Sequence, residues 1–193
     1  MSLNHEAIVV IDVQNAILGD PDSDRKLRNR AALDEVVARI ATLIGRGREL
    51  GVPVLFVQHD GARGHRLERG TAGWLIRSEI APGIGETVIH KTACDSFFET
   101  TLRSELESLG IERLTIAGCM TQFCVDTTVR RAVSLGYDVT LVADGHMTAD
   151  FGELGFDQIV DHHNALLDGF DAGAHSVTVV PLNQILDSWA FKT

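Results

Sequence analysis

The most constraining feature of this chain is a repeated alternation of short apolar runs with amphipathic helical patterns. The first run, at residues 7–13, is apolar at every position except Asp12, which is typical of a strand buried on both faces of a parallel sheet. A helical pattern follows at residues 30–50, where apolar residues recur at the i, i+3, i+4, i+7 spacing of one helix face. Because strand and helix alternate about six times along the chain, the sequence predicts an α/β sandwich with a mostly parallel sheet and right-handed crossovers.

The remaining predicted elements keep this order. Further strands are expected at residues 54–58, 86–91, 114–117, 139–143 and 177–180, and further helices at residues 99–109, from Thr121, at 158–167 and after Pro181. Residues 20–24 and 59–83 are predicted loops, and the second is rich in Gly and charged residues, as are many segments that build pockets. No repeat or linker interrupts the pattern, so residues 1–193 are predicted to form a single domain.

Composition narrows the functional classes. The chain has 27 acidic and 17 basic side chains, a formal charge of −10, which argues against nucleic acid or an anionic membrane as a partner, because phosphate binding needs clustered Lys and Arg. Its three cysteines have neither a C-x-x-C nor a zinc-finger spacing. No apolar run approaches the ~20 residues of a membrane span, and the polar start is no signal peptide. We therefore expect a soluble, cytoplasmic protein.

Residues 113–126 contain the strongest candidate for a reactive group. The predicted strand ends at Gly118, and Thr121 then begins a helix, because a Thr hydroxyl can accept from the free N–H groups of a first helical turn. Cys124 lies three residues further on, near the positive end of the helix dipole, which favours thiolate over thiol. The alternative is that Cys124 is one more buried cysteine, since free cysteines are among the most buried residue types.

Three polar residues lie where three predicted strands end. Asp12 ends the first strand, Lys91 ends the third and Cys124 follows the fourth. Each taken singly has a structural explanation, but ligands of such sheets bind beyond the carboxyl ends of the strands. Together they supply the groups that covalent acyl transfer needs. Cys124 would be the nucleophile, Asp12 the base that takes its proton, and Lys91 the positive charge that keeps Asp12 ionised. Backbone N–H groups at the start of the helix would face the developing oxyanion.

The same residues carry a resemblance to a known family. The matching segments are IDVQN at 11–15, IHKTACDSFF at 89–98 and IAGCMTQFCVDTTVRRAVSLGYDVTLVADG at 116–145. The last segment matches the family pattern G-x-x-T-x-x-C-V-x-x-T and continues to a G-Y-x-V strand and an aspartate. Over essentially its whole length, the chain resembles the isochorismatase-like cysteine hydrolases, which include nicotinamidases and N-carbamoylsarcosine amidohydrolase.

This resemblance implies both a fold and a site. The fold would be a three-layer α/β sandwich whose six-stranded parallel sheet has the order 3-2-1-4-5-6. Asp12, Lys91 and Cys124 would be the catalytic triad, a non-proline cis peptide bond would precede Met120, and the backbone N–H groups of Met120 and Cys124 would form the oxyanion hole. Isochorismatases proper lack the nucleophilic cysteine, so its presence favours amide hydrolysis. Relatives commonly form homo-oligomers, which we expect here; the apolar residues 185–191 could serve that interface or pack within the chain.

The resemblance also raises the question of a metal. Nicotinamidases usually bind one through an Asp-x-His pair and a further His beside the substrate. His59, Asp60 and His65 do not keep that order, so no metal is expected, although three such groups could hold a divalent ion. No Gly-rich dinucleotide or phosphate loop is present in the sequence, so no nucleotide cofactor is expected.

Other side chains are candidates for the pocket wall. Cys94 is expected to be a small core residue, Cys119 to contribute only its backbone, and His162 and His163 to pack on a helix. The candidate substrate contacts are an amide that could bind polar atoms and large apolar rings that could wall a pocket. They are Gln14, Trp74, Phe98 and Phe123, with Met120 in the same wall.

The sequence therefore predicts a cysteine amidohydrolase for a small carboxamide or N-carbamoyl compound, acting through a thioester. Its partner would be a small-molecule substrate. Two alternatives remain open. One is a hydrolase of another C–N or ether bond in which Cys124 is unused. The other is a binding protein that keeps the pocket but does not turn over substrate.

Overall fold

The chain forms one seven-stranded sheet with helices on both faces. The computed structural model describes residues 3–19 and 24–190. The strands are β1 (Glu6–Ile11), β2 (Val54–His59), β3 (Thr87–Lys91), β4 (Arg113–Cys119), β5 (Asp138–Met147), β6 (Asp171–Ala172) and β7 (His175–Val180). The helices are α1 (Asp24–Glu49), α2 (Leu102–Ser108), α3 (Asp126–Ser134), α4 (Phe156–Leu167) and α5 (Leu182–Ala190), with a π-helical turn at Thr121–Val125 directly before α3 and 3-10 turns at Leu3–His5 and Ser78–Ile80.

The strand order is β3-β2-β1-β4-β5-β7-β6. Every neighbouring pair is parallel except β6 and β7, which are antiparallel. The predicted α/β class and strand order are confirmed, because β7 is the sixth strand of the prediction. The additional strand, β6, has two residues, which is too short to leave a periodic pattern in the sequence.

The sheet is the middle of three layers. Alternate residues of β1 point to opposite faces: Ile8 and Val10 belong to an apolar cluster with α1 and α5, whereas Val9 and Ile11 belong to a second cluster with α2 and α3. Every residue of β1 is buried. Burial on both faces explains why the sequence shows a continuous apolar run here rather than an alternation of apolar and polar residues.

Two helices begin at positions that differ from the prediction. α1 starts at Asp24 rather than at residue 30, because its first turns include exposed residues such as Leu27 and so lack an apolar period. α2 starts at Leu102 rather than at residue 99, because Glu99 has a φ of +53°, which a right-handed helix does not accommodate. Leu102 and Leu106 of this helix are buried, whereas Leu109, which follows its last residue, is exposed.

The C-terminal helix packs against the sheet. Ile185 and Trp189 are buried in the same apolar cluster as α1, so these two side chains pack within the chain. Phe191 and residues 20–23 of the predicted first loop lie outside the described residues. Within the described ranges, no helix is long and apolar enough to cross a bilayer.

Gly118 permits the close approach of the two central strands. It pairs with Ile11 across the β1–β4 ladder and has a φ of +134°. A Cβ atom at this position would lie 2.1 Å from the carbonyl oxygen of Ile11, far inside contact distance. Glycine is therefore required where β1 delivers Asp12 and β4 delivers the segment that contains Cys124.

We expect Gly118→Ala to lower the free energy of unfolding by at least about 3 kcal/mol, because both the φ angle and the backbone clash oppose a Cβ atom. Gly110→Ala is the matched control, since Gly110 also has a positive φ, +65°, but a Cβ atom there would have no neighbour within 4 Å; its expected loss is about 1 kcal/mol. Urea unfolding of both variants measures the difference, and equal losses would contradict the close-approach argument.

Candidate active site

Asp12 lies immediately after β1, at the carboxyl edge of the sheet. Its φ is +51°, a left-handed conformation that Asp and Asn adopt more readily than most residues. The turn is fixed by two backbone hydrogen bonds, from Asp12 N–H to the Val57 carbonyl and from Gln14 N–H to the Asp12 carbonyl, each 2.9 Å. The Asp12 side chain is consequently held in a fully buried position.

Lys91 ends β3 and reaches the same carboxylate. Its Nζ lies 2.6 Å from Oδ2 of Asp12, and neither side chain is exposed. The ammonium also donates to the carbonyls of Ala93 at 2.8 Å and Cys94 at 3.4 Å. Because an unpaired buried charge is strongly destabilising, each of these two side chains requires the other.

Thr128 of α3 anchors the segment that carries these carbonyls. Its hydroxyl donates to Oγ of Ser96 at 2.8 Å and accepts from the Ser96 N–H at 3.1 Å. Thr128 and Ser96 are both completely buried. The final Thr of the T-x-x-C-V-x-x-T motif thus ties α3 to the loop after β3, close to Lys91.

Cys124 reaches the site from the segment after β4. The structure has a π-helical turn at Thr121–Val125 where the sequence predicted the first turn of an α-helix; π turns occur frequently at functional sites. Cys124 is partly exposed. Its thiol lies close enough to interact with both the Asp12 carboxylate and the Lys91 ammonium. The three predicted triad residues therefore converge.

The electrostatics of the site differ from the prediction in one respect. Burial, together with the Asp12 charge, raises the pKa of the Cys124 thiol in spite of Lys91, which is opposite to the direction that the helix dipole favours. Burial also raises the pKa of Asp12, and Lys91 opposes this only in part. Burial lowers the pKa of Lys91, but the charges of Asp12 and Cys124 outweigh it and raise the pKa overall. The resting site is thus a thiol beside a carboxylate of increased basicity.

The peptide bond between Cys119 and Met120 is cis, at the position that the family resemblance implies. Met120 follows β4, and its carbonyl accepts the N–H groups of Phe123 at 3.1 Å and Val125 at 3.2 Å. These bonds shape the turn that contains Cys124. The role of the Met120 and Cys124 N–H groups as oxyanion donors stays a prediction.

Asp12 and Cys124 line a cavity of about 180 Å³. This volume equals that of about six water molecules, which suits a small acyl group. A larger cavity of about 510 Å³ lies between α1 and α4, but it is lined by none of the three triad residues. The other walls of the smaller cavity are basic, apolar or thiol side chains: His59, His65, Arg66, Ile17, Leu67, Met120, Phe123 and Cys94.

The two predicted phenylalanine contacts have different outcomes. Phe123 lines the cavity and meets Phe151 edge-on, with ring centroids 6.1 Å apart. Phe98 does not line it and is 53% exposed, because Phe97 takes the buried position in the second apolar cluster. The prediction of Phe98 as a substrate contact is therefore wrong.

Gln14 and Trp74 support the site without lining it. The Gln14 amide is fully buried and donates to the carbonyls of Trp74 at 2.7 Å and His59 at 3.0 Å, while its oxygen accepts the His59 N–H at 2.9 Å. The Trp74 indole donates to Asp60 at 2.7 Å and stacks on His90. Both were predicted substrate contacts; their polar atoms are instead used to fix the loop of residues 59–83.

The structure also shows where the remaining candidate metal ligands, histidines and cysteines lie. Asp60 accepts from Trp74, so its carboxylate is already engaged, and among the described residues no group of three or more His, Cys, Asp or Glu side chains could hold a metal ion. Cys94 is exposed and lines the cavity, so its expected place in the core is wrong. Cys119 is buried, and burial raises its pKa. His163, on α4, contacts the Ile159 carbonyl at 2.7 Å.

Sequence reasoning missed Arg66, Leu67 and Ile17 as cavity residues. Arg66 and Leu67 belong to the loop predicted to build a pocket, but a loop without a period gives no indication of which side chains point inward. Ile17 lies in the segment after β1, and no sequence signal distinguishes it from a core residue.

With the fold and the site established, comparisons assign the chain to a family. The isochorismatase domain model matches residues 6–179, and the chain belongs to the isochorismatase family. A solved isochorismatase from Pseudomonas putida is 30% identical, with a TM-score of 0.82 and coverage of 95% of this chain and 91% of that one.

Two curated relatives carry names for hydrolytic activities. A streptothricin hydrolase of Streptomyces noursei is 33% identical over 145 residues, which cover 75% of this chain and 50% of the relative. The ureidoacrylate amidohydrolase RutB of Rhizobium rhizogenes is 26% identical over 177 residues, covering 75% and 72%. The chain spans about half the length of the streptothricin hydrolases that it matches.

A buried histidine supports the turn before Cys124. Asn164 donates its amide N–H to the Ala143 carbonyl at 3.0 Å, so its oxygen faces Nε2 of His146 at 2.8 Å. Nδ1 of His146 then accepts from the Thr121 hydroxyl at 2.9 Å, which is why Thr121 does not cap the helix as predicted. Burial lowers the pKa of His146 to about 4, so the ring is neutral at pH 7.

This arrangement predicts a loss of stability in acid. The pKa of His146 falls from 6.5 in the unfolded chain to about 4 when folded. Between pH 6.5 and pH 4 the unfolded state therefore binds a proton that the folded state does not. The resulting stabilisation is complete above pH 6.5 and decreases by about 3 kcal/mol as the pH falls to 4. His146→Gln removes this slope from the urea-unfolding free energy, whereas the exposed control His162→Gln retains it; a wild-type slope in His146→Gln would refute the assignment.

Proposed function

We propose that this protein is a cysteine amidohydrolase that cleaves a small carboxamide or N-carbamoyl compound through a thioester intermediate. The observation that carries the proposal is the meeting of the Asp12 carboxylate, the Lys91 ammonium and the Cys124 thiol beside one small cavity, which Asp12 and Cys124 line. The hydrolytic names of relatives in the same family support amide chemistry. Assembly as a homo-oligomer and a cytoplasmic location stay predictions.

The first half of the reaction forms the thioester. Asp12 takes the proton of the Cys124 thiol as the sulfur attacks the carbonyl carbon, and the carbonyl oxygen becomes an oxyanion. The N–H groups of Met120 and Cys124 stabilise that charge. The proton on Asp12 then passes to the leaving nitrogen, the C–N bond breaks, and ammonia or an amine departs from the acyl-enzyme.

The second half releases the acid. Asp12, again ionised, takes a proton from water, whose oxygen attacks the thioester carbonyl, and the C–S bond then breaks. The proton returns from Asp12 to the Cys124 sulfur, so the resting thiol is restored. The product is a carboxylic acid from a carboxamide, or a carbamic acid from an N-carbamoyl compound. Lys91 keeps a positive charge beside Asp12 through both halves, because its raised pKa holds the ammonium form.

Cys124→Ala removes the nucleophile, and we expect it to lower the rate of ammonia release from a carboxamide substrate by at least about 1,000-fold. Cys94→Ala is the matched control because Cys94 is a second thiol in the same cavity; its expected rate is within about threefold of wild type. A coupled ammonia assay over a carboxamide panel measures both.

The two rival functions give different results in this assay. Turnover that survives in Cys124→Ala would support a hydrolase in which the sulfur is unused, as in isochorismatases proper. Binding of panel compounds without turnover in the wild type would support a pocket that has lost catalysis. Either result would overturn the cysteine mechanism.

The pH dependence of kcat/KM tests which group is the base. Because burial raises the pKa of Asp12, activity is expected to fall in acid with a midpoint above the ordinary aspartate range of ~4. The pKa values of Cys124 and Lys91 are raised as well, so these two groups titrate at alkaline pH and do not cause the loss of activity in acid. An activity that instead rises with a midpoint near the free-thiol pKa of ~8.5 would show that a preformed thiolate attacks and would contradict Asp12 as base.

A further inference from the structure

We propose that Arg66 binds an anionic group of the substrate, so that the preferred substrate is a small carboxamide or N-carbamoyl compound that carries a carboxylate. This inference rests on the proposed hydrolysis and adds the charge of the substrate to it. Arg66 lines the same cavity as Asp12 and Cys124. Its charge, its unused donors and its fixed position each support the assignment.

Arg66 has no carboxylate partner within residues 3–19 and 24–190. Its Nε donates to the Ile17 carbonyl at 3.0 Å, and its Nη2 contacts the Met120 sulfur at 3.8 Å. Since a thioether is a weak acceptor, the outer guanidinium donors can bind a carboxylate in the bidentate geometry that Arg favours. Ten other arginines have an acidic partner within 4.0 Å: Arg28, Arg39, Arg46, Arg48, Arg69, Arg77, Arg103, Arg113, Arg130 and Arg131.

The other ionisable groups of the cavity contribute no net charge, so the charge of its lining is that of Arg66. Asp12 is neutralised by Lys91 at 2.6 Å. Burial lowers the pKa of His59, so that ring is neutral at pH 7. His65 uses Nδ1 to accept the Leu67 N–H at 3.1 Å. In a chain with a net charge of −10, the lining of this cavity therefore carries a positive charge, that of Arg66.

The backbone around Arg66 is fixed before substrate binds. Gly61 N–H donates to the Leu67 carbonyl at 2.8 Å, and a Cβ atom at Gly61 would lie 2.7 Å from that same oxygen. A Cβ atom at Gly73 would lie 2.6 Å from the Arg66 carbonyl oxygen. Two glycines thus allow close backbone packing on either side of Arg66. Arg66 is exposed, but its Nε bond to the Ile17 carbonyl orients the guanidinium before substrate binds, which lowers the entropy lost on binding.

The position of Arg66 also limits the length of the substrate. Arg66 contacts the Met120 side chain, and the Met120 N–H is a proposed oxyanion donor. The carboxylate and the scissile carbonyl would therefore both lie beside Met120, in a cavity of about 180 Å³. A four-carbon monoamide such as succinamate fits these limits, and butanamide is its neutral counterpart.

The test compares succinamate with butanamide in the wild type, Arg66→Gln and Arg63→Gln. Arg63 is the matched control because it is an arginine of the same loop, exposed like Arg66, that does not line the cavity. In Arg66→Gln we expect kcat/KM for succinamate to fall by about 10- to 150-fold, the range of a charged hydrogen bond, mainly through KM. Butanamide should change by less than about twofold, and Arg63→Gln should match the wild type for both.

Calorimetric binding of both compounds to Cys124→Ala separates this inference from the proposed function. Tighter binding of succinamate that disappears in Cys124→Ala/Arg66→Gln would support the anion subsite even if the wild type released no ammonia. Hydrolysis of both compounds with no preference for the anion, or an equal loss for both in Arg66→Gln, would overturn the inference and leave the hydrolase proposal standing. Absence of any Arg66-dependent binding and turnover would also overturn it.

Discussion

The buried ion pair between Asp12 and Lys91 is the interaction on which the rest of the site depends. Two charges without solvent exposure are tolerated only as a pair, and loss of one partner from such a pair typically destabilises a protein by about 3–5 kcal/mol. The pair therefore fixes the ends of β1 and β3 at a set separation. Lys91 also opposes the effect of burial, which favours the protonated form of the Asp12 carboxyl group, and so favours the ionised state that the proposed general base requires.

The third component reaches this pair through the backbone of β4. Gly118 lets β4 approach β1 more closely than any residue with a Cβ atom would, and the π-helical turn that follows places Cys124 beside the two charges. The two threonines of the motif act on either side of Cys124. Thr121 binds the buried His146, and Thr128 binds Ser96 in the loop after β3. The motif therefore encodes the support of the cysteine as well as the cysteine itself.

The sequence predicted the positions of residues correctly where burial and strand order determine them. Continuous apolar runs predicted the parallel strands, and polar residues at their ends predicted that Asp12, Lys91 and Cys124 would meet. Positions within the long loop could not be predicted, because they depend on backbone hydrogen bonds between distant segments. Gln14 was expected in the pocket, yet its amide is used by His59 and Trp74, and the cavity wall instead receives Arg66. The direction of the pKa shift of Cys124 was not predicted either, because the position of a residue in a helix does not report its burial.

The central claim is that Cys124 becomes acylated during turnover. The most direct measurement is mass spectrometry of the wild-type protein quenched in acid while it hydrolyses a carboxamide substrate, followed by mapping of the modified peptide. The account predicts a mass increase equal to the acyl group, confined to Cys124 and absent from Cys94, that disappears on treatment with hydroxylamine. Steady turnover with Cys124 unmodified throughout, or an adduct on Cys94 instead, would contradict it.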